Sequence, residues 1–404
     1  MRGPVLWYVH HQGAGHWRRA LAVVRRLTRE VVLISSAEPP GPLPEHARWV
    51  RLADDFPLDP GRTPARVEAG GTLHWAPPHH RGLLDRHGAI LAEAAQLRPS
   101  LAIVDVSVEV AVLLRASGVP VIAVRLPGQR TDFAHRLGFD LADEVVMPVP
   151  AHWGLQTGLA RTVSVGLVSG LVTGPVPARF GTGRIPGQPQ EPGSPDRSAD
   201  GPVVIVVGQG GTRIDPAVCV RIASEVPERK VRVMGLDHPL EMSLSTTPNL
   251  TFLGRIPDPS HELAAACTVV ANCGLGALAD TVSARRPLVV LPEDRPFGEQ
   301  RASASALRSN NEAVVLDYLP ASGGWRTAIE AAIFLGPPPL VADGAARFAE
   351  RIEQRAVSED ALRNPSLDAF LRPKLRRSTD RRRHHDRRRP DRAESMNVPT
   401  GPNR

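Results

Sequence analysis

The feature that most restricts how this chain can fold is one local pattern met twice: a short apolar run, a glycine break, then an apolar stripe at helical spacing. Residues 6–9 are apolar, Gly13 and Gly15 break the run, and residues 17–27 continue with Ala20, Leu21, Val24 and Leu27 on one face. Residues 31–34 add a second apolar run, which predicts a strand, a loop, a helix and a strand in succession. The pattern returns at residues 203–207, with Gly208, Gly210, Gly211 and Thr212 behind them. Aromatic residues are only 4% of the chain, so the runs are built from Val, Leu, Ala and Ile, the side chains of parallel strands buried on both faces. A chain of 404 residues also exceeds the roughly 250 at which a single core stops growing. Two α/β lobes are therefore expected.

Further strands are expected at 101–104, 119–124, 144–147 and 162–165, and in the second half at 231–234, 250–253, 269–272, 287–291 and 314–316. Residues 49–78, rich in Gly, Pro and His, and residues 131–138 read as loops that shape a binding face. On this reading residues 1–172 are the first lobe, 173–201 a Gly/Pro-rich linker or loop, and 202–343 the second lobe. Residues 344–372 form a closing helical region and 373–404 a disordered basic tail.

Charge is unevenly placed. Between Lys374 and Arg392 stand one Lys and nine Arg against three Asp, a surplus of seven that equals the formal +7 of the whole chain. The body is thus close to neutral, and no specific nucleic-acid partner is expected. The tail is instead a candidate for peripheral contact with anionic surfaces. No run approaches the ~20 apolar residues of a membrane span, and the start turns polar too soon for a secretory signal. A cytoplasmic location is expected, with the tail as a means of peripheral contact at the inner face of the membrane. Cys219, Cys267 and Cys273 lack paired spacing and read as small buried side chains. His10, His11, His79 and His80 have no carboxylate at a metal-binding spacing, so no metal is expected.

Three glycine-bearing loops carry the candidate chemistry. Gly13, Ala14, Gly15 and His16 lie between the first strand and helix, where small residues permit close approach of a ligand. Arg18, three positions after Gly15, spoils the G-x-G-x-x-G dinucleotide fingerprint. Gly210, Gly211 and Thr212 repeat the arrangement, and amides in such a turn can receive phosphate oxygens. Each of these two loops serves equally as a plain structural turn. The third is more informative: Gly274, Leu275, Gly276 and Ala277 enter a helix whose free amides and positive dipole end can hold a pyrophosphate. Asp280 follows within reach of ribose hydroxyls, and Arg295, Glu299 and Gln300 stand above the same sheet edge, where Glu299 and Gln300 would read a sugar. Asp105 and Glu109 are candidates for orienting His16 or binding an acceptor, although a helix cap explains Asp105 equally well. Arg125, Gln129 and Arg130 lie near another strand end.

Residues 269–306 resemble the donor-binding signature of glycosyltransferases with two Rossmann-like lobes, the GT-B fold. The likeness is to family 28 in particular, the group containing the N-acetylglucosaminyltransferase of peptidoglycan-precursor synthesis. It rests on Gly274 and Gly276, Asp280, Pro287 with Pro292, and the pair Glu299 and Gln300; Gly13 to His16 and Gly208 to Thr212 match the family's two glycine loops. Two departures stand out: the helix acid is usually Glu rather than Asp280, and Ala277 stands where Ser or Thr is common.

The resemblance implies a donor lobe that binds a nucleotide-diphosphate sugar such as a UDP-sugar, with the nucleobase against the backbone near Gly254 and Arg255. It implies a small-molecule or lipid-linked acceptor on the first lobe, no cofactor, and metal-independent hexosyl transfer with inversion. His16 would be the general base, since histidine titrates near neutral pH. A nucleotide-sugar 2-epimerase of the same architecture and a non-catalytic nucleotide-binding protein are the alternatives.

Overall fold

The structure, a computed structural model, describes residues 2–56, 64–155, 162–171, 200–208, 210–237 and 247–363. The first half runs β1 (Val5–Tyr8), α1 (Ala14–Val24), β2 (Val31–Ser35), β3 (Ala47–Arg51), α2 (Pro64–Val67) and α3 (Arg81–Leu97). It continues with β4 (Leu101–Asp105), α4 (Val108–Ala116), β5 (Val121–Val124), α5 (Phe133–Leu141), β6 (Glu144–Met147) and β7 (Thr162–Ser164). The second half runs β8 (Val203–Val206), α6 (Pro216–Glu225), β9 (Val231–Met234), β10 (Leu250–Gly254), α7 (Ser260–Ala265) and β11 (Thr268–Ala271). After these come α8 (Leu275–Ser283), β12 (Leu288–Val290), α9 (Glu299–Ser309), β13 (Val314–Val315), α10 (Gly324–Leu335) and α11 (Gly344–Arg363). Among the described residues no helix is long and apolar enough to cross a membrane.

Two parallel sheets result, one ordered β3-β2-β1-β4-β5-β6-β7 and the other β10-β9-β8-β11-β12-β13. Strands β1, β2 and β4 are buried along their whole lengths, as sheet centres covered on both faces must be. In each sheet the chain winds first one way and then the other, which leaves β1 beside β4 and β8 beside β11 at a reversal of direction. Crevices at the carboxyl ends of such strand pairs are where open parallel sheets receive ligands. Those ends carry His16 and Asp105 in one lobe, and Gly208, Gly210, Gly211 and Thr212 with Asn272 to Ala277 in the other. The lobes meet through α1 and α8, and an apolar cluster continues across them.

Two expected loops contain regular structure. The 49–78 region overlaps β3, an edge strand whose Arg48 and Arg51 are exposed, so it lacks the apolar run that marks a central strand. The 131–138 stretch enters α5, which Asp132 caps by accepting the His135 N–H at 3.0 Å. The linker assigned to 173–201 lies up to residue 199 outside the described residues, as do 364–372 and the tail 373–404.

Helix α11 leaves the second half and packs on the first, against α1 and β4. Phe348 meets the Trp7 ring at 5.6 Å, and Arg29, buried at 2% exposure, pairs with Glu353 at 2.7 Å and Asp360 at 2.8 Å. The crossing needs glycine at 344: a Cβ there would lie 2.4 Å and 2.6 Å from the carbonyl oxygens of Gly166 and Leu167. Its N–H donates to Leu167 O at 2.9 Å, so the chain enters α11 in backbone contact with the first lobe.

Candidate active site

β4 delivers Asp105, with no exposed surface, to the start of α1. There His16 Nδ1 lies 3.1 Å from Asp105 Oδ1. Arg19, three residues on and so on the same helix face, donates from Nη2 to both Asp105 oxygens at 2.7 and 2.8 Å. The same nitrogen stands 2.9 Å from His16 Nδ1. Burial pushes the Asp105 carboxyl up, but Arg19 and His16 together outweigh it and hold the group well below the usual carboxylate range. Asp105 is not the cap of α4, because Ser107 Oγ accepts the Val110 N–H there at 3.2 Å. Between them Val106 adopts φ 60°, a left-handed conformation that is costly for a β-branched residue. With Nδ1 turned to Asp105, the Nε2 edge of His16 is the one left for a ligand.

A cavity of about 380 Å³ lies between the lobes. Gly13, Gly15 and His16 line it from one side and Gly274, Leu275, Gly276 and Ala277 from the other. Helix α8 begins there with Gly274 extended and no side chain capping it, so its first amides have no side-chain acceptor. A Cβ built on Gly276 meets nothing within 4 Å. Gly210 lines the cavity beside Arg295, whose guanidinium donates to the carbonyls of Gly210 and Gly211. Met234, Gly235, Arg255, Ile256 and Leu263 form a further part of the wall.

Several side chains assigned to the donor are engaged elsewhere. Thr212 Oγ accepts from Ile214 N–H at 2.9 Å and from Asn272 Nδ2 at 3.0 Å, which braces its loop. Gln300 Oε1 accepts the N–H groups of Cys273 at 3.1 Å and Glu293 at 2.9 Å, tying the ends of β11 and β12 together on the cavity wall. The Gly254 carbonyl accepts the Gly235 N–H at 2.8 Å, so Arg255 is the member of that pair on the cavity wall.

Asp280 differs most from its expected ribose role. It pairs with Arg18 at 2.7 Å and accepts from Ser169 Oγ at 2.7 Å and Gly170 N–H at 3.0 Å, which ties α8 to the first lobe. Burial raises its carboxyl, with Arg18 and Ser169 offsetting part of the rise. Glu299 also reaches across, meeting Arg130 Nη2 at 3.5 Å.

A second cavity, of about 810 Å³, opens on the first-lobe side of His16. It shares Gln12, Gly13, His16, Arg295, Glu299 and Gln300 with the first. Tyr8, Phe56, Trp75 and Phe297 line it, with the imidazoles of His10, His11, His74, His87 and His135. Burial, helped by the neighbouring His16 and His11, pushes His10 down to about 3. Burial likewise lowers His11 and His87, and takes His135 down to about 4 against the opposing hydrogen bond to Asp132. Glu109 does not orient His16. Its Oε1 accepts the N–H groups of His74 and Trp75 at 2.8 and 3.0 Å and so holds the cavity wall.

His74, Asp132 and His135 lie close enough together for one cation. Arg130, however, points an N–H at His135 Nε2 from 3.0 Å, which puts the ring proton on Nδ1 facing Asp132. These atoms are bonded to one another rather than offering lone pairs to a metal. Arg19 is the site residue that the sequence does not single out, its spacing from His16 being the only signal.

The chain matches solved structures over almost its whole length. The kitacinnamycin glycotransferase is 16% identical with a TM-score of 0.56, covering 89% of this chain and 98% of that one. The spinosyn rhamnosyltransferase SpnG, complexed with thymidine diphosphate, is 15% identical with a TM-score of 0.52, covering 91% and 100%. MurG of Acinetobacter baumannii is 14% identical with a TM-score of 0.53, covering 87% and 99%. What these similarities establish is the class of fold: two Rossmann-like α/β sheets facing each other, the GT-B arrangement. No protein-family model and no curated protein matches the chain, and the likeness to MurG is no greater than that to the others, so nothing singles out family 28.

Proposed function

We propose that this protein transfers a sugar from a nucleotide-diphosphate donor to an acceptor hydroxyl. The observation that carries this reading is the position of His16, on the wall common to two cavities and backed at Nδ1 by Asp105. The diphosphate would lie against the amides of Leu275 to Ala277, where N–H groups and the helix dipole take up charge growing on the leaving group. The base would lie toward Met234, Arg255 and Leu263. The acceptor hydroxyl gives its proton to His16 Nε2 while its oxygen attacks the anomeric carbon from the face opposite the diphosphate. The carbon–oxygen bond to the diphosphate breaks with its electron pair, the sugar is inverted, and Asp105 stabilises the imidazolium formed. SpnG was solved with thymidine diphosphate, a ligand of the class proposed here.

The second cavity supports a small, uncharged acceptor bearing flat rings over a lipid-linked diphosphate. Its walls carry aromatic side chains together with His10, His11, His87 and His135, whose protonation burial disfavours, and its buried arginines are already engaged, Arg86 by Asp55 at 3.1 Å and Arg130 by the Leu126 carbonyl and His135, each at 3.0 Å. An epimerase needs no acceptor chamber, so the same cavity favours transfer. We place this activity in the cytoplasm, with the basic tail adding contact to anionic surfaces. Deleting residues after Pro373 should weaken sedimentation with anionic vesicles, and unchanged sedimentation rejects that role.

Thermal-shift screening of nucleotide sugars should identify a donor, and a panel of ring-bearing alcohols offered with it should yield a glycoside. His16→Gln should lose transfer and keep the donor-induced shift. Absence of stabilisation by any nucleotide sugar at millimolar concentration contradicts the reading. Conversion of the donor without acceptor indicates epimerisation instead.

A further inference from the structure

Arg19 has no place in the mechanism so far, yet it is 7% exposed, and one of its nitrogens donates to both Asp105 oxygens and stands 2.9 Å from the His16 ring. A carboxylate without solvent demands a counter-charge. With imidazole as the sole partner, the pair would be most stable as carboxylate and imidazolium, and the base would hold a proton before any acceptor arrived. A guanidinium supplies the counter-charge at every working pH. A second positive charge on His16, 2.9 Å from Arg19 Nη2, is then repelled.

Resting on the transferase reading of His16, we infer that Arg19 is a positioning residue that neutralises Asp105 in advance and thereby keeps His16 an unprotonated base. Arg19 spends both Nη2 protons on the carboxylate, and His16 Nδ1–H adds a further bond to Oδ1, which leaves the Nε2 lone pair toward the cavities. In the competing arrangement Arg19 donates to Nδ1, the ring proton moves to Nε2, and the base is disabled. Bonds between two charged groups are roughly twice as strong as neutral ones, which favours the first arrangement.

The other titratable and charged groups on the walls His16 shares stay in place in the variants below. They include His10, just beyond the end of β1, its ring 5.2 Å away, with His11 and Arg86 near it and Asp55 paired to both, Arg130 from the first lobe, and Arg295 and Glu299 from the second.

The test is a histidine side-chain NMR titration of the full chain, with the His16 signal identified by its loss in His16→Gln. Arg19→Met should move the His16 midpoint up by at least one pH unit. Arg19→Gln, which keeps a hydrogen bond to Asp105 and folds more readily, should do the same. Adding Asp105→Asn to either variant should bring the midpoint back down. In the transfer assay the acidic limb of kcat should rise equally, lowering activity below the wild-type midpoint by up to tenfold for each pH unit of the shift, with recovery at higher pH and the donor KM unchanged. An unmoved His16 midpoint in the neutral variants overturns the inference, and so does faster transfer at every pH. If the wild type transfers no sugar, the titration still decides the role of Arg19 while the transferase reading falls separately.

Discussion

At Gly276 no contact within the protein calls for a glycine. A side chain there meets only open space, and a glycine in the first turn of α8 gives up backbone entropy that another residue would not. Gly276→Val should therefore fold with an undiminished melting temperature and bind nucleoside diphosphates at least tenfold more weakly by calorimetry. Unchanged affinity would mean that the diphosphate lies elsewhere. At Asp105 the expectation is the reverse, a kinetic loss without a binding loss. Asp105→Asn removes the charge that stabilises the imidazolium, and kcat should fall on the order of a hundredfold with the donor KM retained. Single residues of this kind are legible in part: His16 and Asp105 each end a glycine loop or an apolar run. That Arg19 joins them depends on the β1–β4 pairing, which no local pattern writes down.

Elements differ in how openly the sequence declares them. Central strands such as β1, β4, β8 and β11 announce themselves as apolar runs, so the loops that follow them can be placed from the residue pattern alone. Edge strand β3, carrying two exposed arginines, cannot, and α5 hides its cap Asp132 behind a stretch that reads as turn. The position of Asp280 on α8 is legible, whereas its partner is not, because Arg18 comes from α1 in the other lobe. Asp280→Ala should destabilise the protein by about 1–3 kcal/mol in a denaturant titration, less than the roughly 3–5 kcal/mol for breaking a fully buried pair, since Arg18 is 35% exposed and rehydrates. If Asp280 also holds ribose, affinity for the nucleoside itself will drop with it; if the carboxylate only joins the lobes, nucleoside affinity will hardly change.

On the scale of the whole molecule, the neutral imidazoles make the fold sensitive to acid. His10 and His135 are held down at about 3 and about 4, whereas in the unfolded chain such groups take up protons near 6.5. Between those limits the unfolded state binds more protons, so stability is full above about pH 6.5 and falls as the pH drops toward 4, by up to about 1.4 kcal/mol per pH unit from each. The denaturation midpoint should decline over that window, and His10→Gln should flatten the decline; equal slopes would show that His10 is charged in the folded protein.

The return of α11 has a consequence for biosynthesis. Trp7 is covered by Phe348, and Arg29 is neutralised by Glu353 and Asp360, so the half of the protein that leaves the ribosome first cannot seal its interior until the other half has emerged. A polypeptide halted after residue 171 should aggregate, and supplying residues 344–363 as a separate peptide should rescue its solubility in a split-protein complementation assay.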